Sequence, residues 1–338
     1  MVSLNFDWFR NIDGDNGILG RNISWLYNYL SPSGVVSGQG DLLDKFRRSK
    51  FTFSVMNMAV NQYSWAYLYD RIESFPAAID FFMENCSSDV VIGYELSRAQ
   101  RRLLTNLGKT YIDLRTHPIR FLPDYHLSAG TNDIEIHKRL VSLAPPKKYV
   151  DTSAFMHKAR AARRYQKRLD PDFGVVFFAQ TAFDSSRIRN GEMLDDSYIV
   201  DALESYLEKE NPKNIYFKSH PHEPIRKELA SSLSKLGAKE TKTASYDLLS
   251  VEGLRVCALS SSVCHEAAYF GGRPTVFHPP EDFPQIGTDG GLGSYSMMPA
   301  NLYEAEIWNF ILNGDGVPEP HYPLPPAPFR MASGLSWG

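Results

Sequence analysis

The sequence predicts an α/β protein in which two parallel-sheet domains face each other across a cleft. Its 338 residues exceed the usual size of a single hydrophobic core, so two domains are expected. Short apolar runs alternate with amphipathic stretches along residues 89–114 and again along residues 174–278, as in parallel sheets covered by helices. The predicted domains are residues 1–165 and 166–315, followed by a proline-rich tail at residues 316–338.

The N-terminal domain is predicted to begin irregularly, because the first 40 residues are punctuated by glycines. Apolar periodicity and helix-stop signals then define its elements. In order, these are a strand at Phe51–Val60, a helix at Ile72–Asn85, a strand at Asp89–Leu96, a helix at Ser97–Leu107 that Gly108 ends, and a strand at Lys109–Leu114.

A strongly basic helix is predicted at residues 151–170, between the two domains. We interpret it as a solvated bridging helix; a patch for a membrane surface or an acidic polysaccharide is the second interpretation. The C-terminal domain follows. Its predicted strands are Gly174–Gln180, Asn214–Lys218, Leu254–Leu259 and Thr275–His278, and its predicted helices are Leu194–Lys209, Glu223–Leu236 and Ser262–Phe270.

The composition argues against several classes of function. A net charge of -3 gives no whole-protein case for nucleic-acid binding. Three cysteines without a CxxC pair are typical of reduced thiols in a cytosolic protein. The chain shows neither a signal peptide nor an apolar run near the roughly 20 residues that span a bilayer. HExxH, P-loop and GxGxxG motifs are missing from the sequence, so we expect neither a metal nor a dinucleotide cofactor.

Three consecutive serines, Ser260, Ser261 and Ser262, follow the apolar run Leu254–Leu259 and precede a predicted helix. One serine would be enough to cap that helix, which is the alternative interpretation. Ligands of open parallel sheets lie beyond the carboxyl ends of the strands, where hydroxyls and helix N–H groups suit a phosphate. We therefore predict a phosphate site here, with Glu266 as a candidate for ribose hydroxyls or simply a first-turn acid that favours the helix dipole.

His220 and Pro221 follow Lys218 at the end of another predicted strand. A lone histidine is more often structural than functional. At this position, however, an imidazole can donate to a phosphate or protonate a leaving group, and Lys218 can lie beside the same charge. We predict that these three residues contribute to the phosphate site.

Two carboxylates, Asp184 and Glu95, follow predicted strands in the two domains. Each has a structural alternative, because Asp184 suits a turn and Glu95 suits a helix start. Enzymes that act on glycosidic bonds commonly use a pair of carboxylates, one on each side of a cleft. The segment His117–Asp124 also follows a strand, and its His117, Arg120 and Asp124 are candidates for an acceptor or a donor carboxylate, or for a buried ion pair.

These motifs resemble bacterial glycosyltransferases of the GT-B fold that use CMP-activated nonulosonic acids. In that group a His-Pro motif and a serine motif bind CMP, matched here by His220-Pro221 and Ser260-Ser261-Ser262. The residues 93–97 and 117–124 are similar to those of the retaining β-Kdo transferases of capsule and O-antigen assembly. A Gln-Thr-x-x-Asp-Ser segment of that family is matched by Gln180, Thr181, Asp184 and Ser185.

The resemblance implies two Rossmann-type domains, the N-terminal one for the acceptor and the C-terminal one for the CMP-sugar. It implies a double displacement with Asp184 as nucleophile and Glu95 as acid/base, without metal. The donor would carry Kdo or a related ulosonic acid, and the acceptor would be a surface glycan, free or linked to lipid. Two locations stay open, the cytoplasm and the periphery of the inner membrane.

Three other functions stay open at this point. CDP-glycerol or CDP-ribitol phosphotransferases of teichoic acid assembly also release CMP, but an aspartate and an aromatic residue usually precede their serine motif, where this chain has Ala258 and Leu259. An inverting sialyltransferase would use a carboxylate as general base. A non-catalytic nucleotide- or polysaccharide-binding protein would not need Asp184 or Glu95.

Overall fold

A computed structural model describes residues 2–10, 18–36, 42–86, 88–164, 174–221, 223–279 and 291–322. The strands are β1 (Val2–Phe6), β2 (Val90–Tyr94), β3 (Thr110–Thr116), β4 (Leu127–Thr131), β5 (Val175–Phe178), β6 (Ile188–Arg189), β7 (Glu192–Met193), β8 (Ile215–Lys218), β9 (Lys239–Glu240), β10 (Arg255–Ala258), β11 (Arg273–Val276) and β12 (Ser296–Met297). The helices are α1 (Ile18–Leu30), α2 (Leu42–Val55), α3 (Gln62–Arg71), α4 (Pro76–Glu84), α5 (Arg98–Asn106), α6 (Ile134–Ser142), α7 (Lys147–Arg164), α8 (Asp196–Glu210), α9 (Lys227–Lys235), α10 (Ser245–Leu249), α11 (Val263–Tyr269) and α12 (Ala305–Asn313). In the described part of the chain, no helix combines the length and apolar character that a membrane crossing requires.

The first sheet has the strand order β1-β2-β3-β4-β12 and is mixed. Strands β1, β2 and β3 are parallel, whereas β4 and β12 run antiparallel to their neighbours. The expectation of a wholly parallel sheet is therefore wrong for these two strands. The physical reason lies in the connection from β3 to β4, residues 117–126, which is shorter than the dozen or so residues that a parallel crossover needs.

The elements that the sequence predicted around β2 are confirmed. Strand β2, helix α5 and strand β3 follow one another as expected. Ser97 caps α5 by accepting from the backbone N–H of Gln100 at 3.2 Å, and the Gln100 side chain accepts from Ser97 N–H in return. Gly108 follows α5 with φ of 69°, the left-handed region that glycine enters without strain. This local chemistry fixes where β3 begins.

The described residues among the first 40, residues 2–10 and 18–36, form regular elements, so the prediction of an irregular start is wrong for them. Strand β1 is an edge strand that pairs in parallel with β2, and helix α1 follows it in the chain. The strand escaped detection because it has five residues with Asn5 among them. Asn5 is fully buried, yet its side chain is satisfied: Nδ2 donates to Cys86 Sγ at 2.6 Å and Oδ1 accepts from Phe6 N–H at 2.7 Å.

The predicted strand Phe51–Val60 is also wrong, because its first half, residues 51–55, is the C-terminal part of α2. Phe51, Phe53 and Val55 alternate with polar residues, a period that favours a strand. In the helix, Phe53 is fully buried while Phe51 and Val55, four residues apart, lie on the outer face. Tertiary packing of Phe53 against Phe9 therefore overrides the local pattern. The predicted helix at Ile72–Asn85 is present as a short 3-10 turn followed by α4.

The second sheet has the order β11-β10-β5-β8-β9 and is parallel throughout, as predicted. Its side chains alternate between two layers of core. Val176 and Phe178 pack toward α7, α10 and α11, whereas Val175 and Phe177 pack toward α8 and α9. Because all strands point the same way, the residues that follow β5, β8 and β10 meet at one edge of the sheet.

The chain returns to the first sheet after the second is complete. Strand β12 pairs with β4, and α12 buries Ile307, Trp308 and Ile311 in the core of the first sheet. Residues 296–313 thus add to that core, although the predicted boundary placed them with residues 166–315. The predicted division at residues 165 and 166, and residues 323–338 of the proline-rich tail, lie outside the described residues.

A two-stranded hairpin formed by β6 and β7 reaches from the second sheet to the first. Its turn residues Asn190 and Gly191 both have positive φ, 53° and 77°, as a tight primed turn requires. Gly191 N–H donates to Asp70 Oδ2 at 2.7 Å, and Arg71 donates to the Asn190 carbonyl at 2.9 Å. Arg98 donates to the Ile188 carbonyl at 3.0 Å. The hairpin therefore fastens the segment after β5 to helices α3 and α5.

Candidate active site

A cavity of about 260 Å³ lies where strand ends of the two sheets approach each other. Many of the residues predicted from sequence line its wall. They are Glu95, Arg120, Asp184, His220, Pro221, Ser260, Ser261, Ser262 and Glu266. Three predicted site residues, His117, Asp124 and Lys218, are not part of this lining. The cavity thus brings the two carboxylates, the serines and the histidine to one place.

Glu95 follows β2 in a left-handed conformation, with φ of 50°. Its N–H donates to the Leu114 carbonyl at 2.9 Å, which holds the turn against β3. Since Ser97 and Gln100 cap α5, the start of that helix does not depend on the Glu95 side chain. The carboxylate instead forms an ion pair with the Arg10 guanidinium. An uncommon backbone conformation for glutamate is therefore kept at a carboxylate that faces the cavity.

Arg10, which the sequence analysis did not identify, is the cation beside this carboxylate. Its guanidinium lies 5.4 Å from the centre of the Trp65 ring, and Trp65 Nε1 donates to Asp7 Oδ2 at 2.8 Å. Burial lowers the pKa of Arg10, but the nearby carboxylates Glu95, Asp184 and Asp7 outweigh burial and hold that pKa above its ordinary range. Arg10 is therefore a fixed positive charge that acts on both cavity carboxylates.

Asp7 is a further buried carboxyl behind this group. Burial raises its pKa to about 6, although the Trp65 hydrogen bond and the Arg10 charge both lower that pKa. It does not line the cavity, so it acts through Arg10 and Trp65.

Asp184 follows β5 and lies in a turn, as the structural alternative in the sequence analysis predicted. It caps a short 3-10 turn at Ser185–Arg187, and its Oδ1 accepts from Ser186 N–H at 2.8 Å. The preceding loop is held by Glu223, whose Oε1 accepts from Ala182 N–H at 3.2 Å. A capping role and a place in the cavity wall thus coexist in one aspartate.

The three serines have different surroundings. Ser260 is buried, and its N–H donates to Gln180 Oε1 at 2.7 Å while its hydroxyl donates to Ser186 Oγ at 2.9 Å. Ser262 is the residue before α11, but its hydroxyl makes no capping bond. Ser261 Oγ accepts from Val263 N–H at 3.4 Å. Ser260 therefore ties β10 to the loop after β5, and Ser261 and Ser262 remain half-buried at the cavity wall.

His220 follows β8, and a bridge to Glu223 holds its backbone. Its neighbours Ser219 and Pro221 also line the cavity. Lys218, the last residue of β8, is half-buried outside the lining. Burial and the positive charge of Lys242 lower the Lys218 pKa, while Glu240 opposes them. A role for Lys218 at the phosphate stays a prediction.

Glu266 connects α11 to the segment after β3. Its Oε1 accepts from the backbone N–H groups of Arg120 at 2.6 Å and Phe121 at 3.2 Å, and from the Tyr246 hydroxyl at 3.2 Å. Burial raises the pKa of Glu266 to about 7 in spite of these bonds. The carboxyl joins the two halves of the cavity wall, and its predicted contact with ribose stays a prediction.

This raised pKa predicts a pH-dependent stability. The folded state binds the Glu266 proton more tightly than the unfolded state, in which the pKa of this carboxyl is near 4.5. The free energy of unfolding should therefore fall between about pH 5 and pH 7, by about 3 kcal/mol in total from this residue. Glu266→Gln keeps an oxygen acceptor but does not titrate. Urea unfolding at pH 5 to 8 should show the variant gaining this amount over the wild type as pH rises.

The exposed carboxylate Glu252, 79% exposed, supplies the control for that measurement. Glu252→Gln should give unfolding free energies that run parallel to those of the wild type. Parallel curves for Glu266→Gln as well would contradict the raised pKa.

His117 and Asp124 are buried beneath the segment that carries Arg120. His117 Nδ1 accepts from Ile119 N–H at 3.1 Å, and burial holds the His117 pKa well below its ordinary value, so the ring is neutral. Asp124 Oδ1 accepts from Tyr125 N–H at 2.8 Å. The structure therefore brings Arg120 to the cavity and leaves these two neighbours behind it.

Two more arginines at the cavity were missed. Arg98 makes two hydrogen bonds to the Asp70 carboxylate, at 2.6 and 2.8 Å, and Arg115 donates to Asp113 at 2.9 Å. Arg115 is the next-to-last residue of β3, so its position near a strand end was a usable signal. Arg10 offered none, because it lies in the region expected to be irregular. Arg98 and Arg115, together with Arg120, place three arginines on the first-sheet side of the cavity, and the first two are each paired with an aspartate.

Within the described residues, no group of three His, Cys, Asp or Glu side chains is arranged to hold a metal ion. The groups available at the cavity are the carboxyl groups of Glu95, Asp184 and Glu266, a histidine, hydroxyls and arginines.

No protein-family model matches the chain, and no curated protein does either. Among solved structures, the chain is similar to a protein described as Thermosulfurimonas dismutans KpsC, beta Kdo 2,7 transferase. That match has 18% sequence identity and a TM-score of 0.39, and it covers 61% of this chain and 71% of the other.

Proposed function

We propose that the protein is a glycosyltransferase that moves Kdo or a related ulosonic acid from CMP to a surface-glycan acceptor, with retention of configuration. One observation carries this proposal. A single cavity combines Glu95 and Asp184, both under the influence of Arg10, with Ser261, Ser262 and His220 at strand ends of the second sheet. Paired carboxylates suit sugar transfer, and hydroxyls with an imidazole suit the phosphate of a nucleotide donor.

In the first step of the proposed reaction, Asp184 attacks the anomeric carbon of the donor. The bond from that carbon to the CMP phosphate breaks, and the bonding electrons leave with CMP. His220, Ser261 and Ser262 hold the departing phosphate. The result is a sugar bound covalently to the Asp184 carboxylate.

In the second step, the acceptor hydroxyl attacks the same carbon and releases Asp184. Glu95 takes the hydroxyl proton, and the two inversions give overall retention. Arg10 keeps a positive charge near both carboxylates through the reaction. A ulosonic acid also carries its own carboxylate, for which Arg120 offers the matching planar cation.

The donor assignment is tested by melting curves with nucleotides. CMP should stabilise the protein by about 2.7 kcal/mol at a hundredfold excess over its Kd, which is several degrees in Tm. UMP and ADP at the same concentration should give a much smaller shift. Equal shifts for all three nucleotides would remove the basis for a CMP donor.

Variants locate that binding. His220→Ala and Ser262→Ala should each weaken CMP affinity by about 1 to 3 kcal/mol, because a charge-assisted hydrogen bond is lost. Ser234→Ala is the matched control, since Ser234 lies on α9 and its hydroxyl donates to the Ala230 carbonyl. Unchanged affinity in both cavity variants would place the nucleotide elsewhere.

A further inference from the structure

The outer face of α7 carries an exposed apolar pair in a basic setting. Phe155 is 66% exposed and Met156 is 69% exposed, adjacent to each other near the middle of an 18-residue helix. At 100° per residue, Lys148, Thr152 and Arg163 lie on the same side of the helix as this pair. We define these five residues, with Arg160 at the margin, as the outer face of α7.

The opposite side of α7 is committed to the second sheet. Val150, Ala154 and Ala161 are buried there. His157 stacks obliquely on the Tyr246 ring with centroids 5.1 Å apart. This side therefore cannot turn outward, and nothing in the described residues covers Phe155 and Met156. Large apolar side chains at such exposure mark a contact surface when they are adjacent and framed by charge.

The charges around α7 leave an excess of cations on the outer face. Lys147 pairs with Asp151 at 2.7 Å, Lys158 with Glu252 at 2.9 Å and Arg164 with Asp247 at 3.0 Å. Asp151, Glu252 and Asp247 lie on or beside the helix, and each is paired with one of these three cations. By contrast, Lys148, Arg160 and Arg163 form no ion pair with any described residue.

We propose that the outer face of α7 binds the surface of an anionic lipid bilayer. Cations at both ends of the face match anionic headgroups, and Phe155 and Met156 between them match the boundary of the acyl region. The cations alone would suit either an anionic bilayer or an anionic polysaccharide. Phe155 and Met156 favour the bilayer, because a polysaccharide has no apolar phase to receive them. This proposal is independent of the donor and of the reaction proposed for the cavity.

Helix α7 lies next to helices that contribute to the cavity wall, so a bilayer at its outer face would be close to the cavity. Helix α7 packs on α10 and α11, which carry Tyr246 and Glu266 of the cavity wall. A bilayer at the outer face would therefore lie one helix layer from the cavity. That arrangement suits an acceptor anchored to lipid.

The test is cosedimentation of the full chain with vesicles. The wild type should bind vesicles of phosphatidylcholine with 25% phosphatidylglycerol and should stay in solution with pure phosphatidylcholine. Phe155→Glu with Met156→Glu should abolish binding, as should Phe155→Ser with Met156→Ser. Arg160→Gln with Arg163→Gln should weaken it about 25-fold, since each cation at an anionic surface contributes about fivefold.

The matched control adds the same two negative charges elsewhere. Ile134 is 50% exposed in the first turn of α6, where glutamate is favoured, and Val317 is 96% exposed. Ile134→Glu with Val317→Glu should bind vesicles like the wild type. Melting curves of all variants should match, because every replaced side chain is solvent-exposed.

Three results would overturn the proposal. They are equal binding of the wild type to both vesicle compositions, vesicle binding by the Phe155 and Met156 variants at the wild-type level, and binding to soluble polygalacturonate without binding to vesicles. The last result would assign the face to an anionic polysaccharide instead.

Discussion

Asp184→Asn should reduce the rate of sugar transfer by at least about a thousandfold, while CMP still binds with wild-type affinity. The amide is not a nucleophile, so no covalent sugar adduct can form. Its oxygen can still accept from Ser186 N–H, as Asp184 Oδ1 does at 2.8 Å, so the turn that carries residue 184 is kept. Asp184→Ala loses both functions and should show the same loss of transfer with lower stability.

Mass spectrometry gives the direct measurement. Wild-type protein incubated with CMP-Kdo and no acceptor should gain one Kdo mass on Asp184, and Asp184→Asn should gain none. Asp195→Asn is the matched control, because Asp195 caps α8 by accepting from Tyr198 N–H at 3.0 Å and lies outside the cavity lining. Transfer that survives in Asp184→Asn, or a product of inverted configuration, would reject the nucleophile and favour a single displacement.

Glu95→Gln should lower transfer by roughly a hundredfold to ten-thousandfold, the range for loss of a general base. CMP affinity should stay unchanged, because Glu95 belongs to the first sheet while the serines and His220 follow strands of the second. The covalent adduct should still form from CMP-Kdo and should persist when acceptor is added. Single-turnover kinetics with rapid quenching would resolve the two steps.

A surface ion pair provides the control for that substitution. Glu84 pairs with Arg48 as Glu95 pairs with Arg10, but the Glu84 side chain is 56% exposed. Glu84→Gln should leave transfer intact. Turnover at the wild-type rate in Glu95→Gln would show that this carboxylate only holds Arg10.

The parallel second sheet and the strand-helix-strand unit around β2 were predictable, because their apolar runs are bounded by strong signals. The Ser97 cap and Gly108 fix one helix on local chemistry alone. Strand β1 and the return of the chain through β12 were not predictable. A five-residue strand containing Asn5 and a two-residue strand have no periodicity to detect, and only long-range partners define them.

The candidate site shows the same division. Residues that follow strands within a few positions, such as Asp184, His220 and Ser261, could be found from the rule that ligands lie beyond the carboxyl ends of parallel strands. Arg10 could not, because its place beside Glu95 depends on β1 joining the sheet edge next to β2. Glu266 illustrates a second limit, since sequence cannot distinguish a carboxylate aimed at a ligand from one that accepts two backbone N–H groups.

The hairpin of β6 and β7 decides which part of the molecule Asp184 would follow in a hinge motion. Asp184 belongs by sequence to the segment after β5, yet hydrogen bonds from Arg98, Arg71 and Gly191 hold the adjoining hairpin against α3 and α5. If the sheets part, the segment that carries Asp184 is tethered at both ends, to the second sheet through β5 and to helices α3 and α5 through the hairpin. Any such opening would load residues 179–187, so the loop that carries Asp184 would connect the two parts.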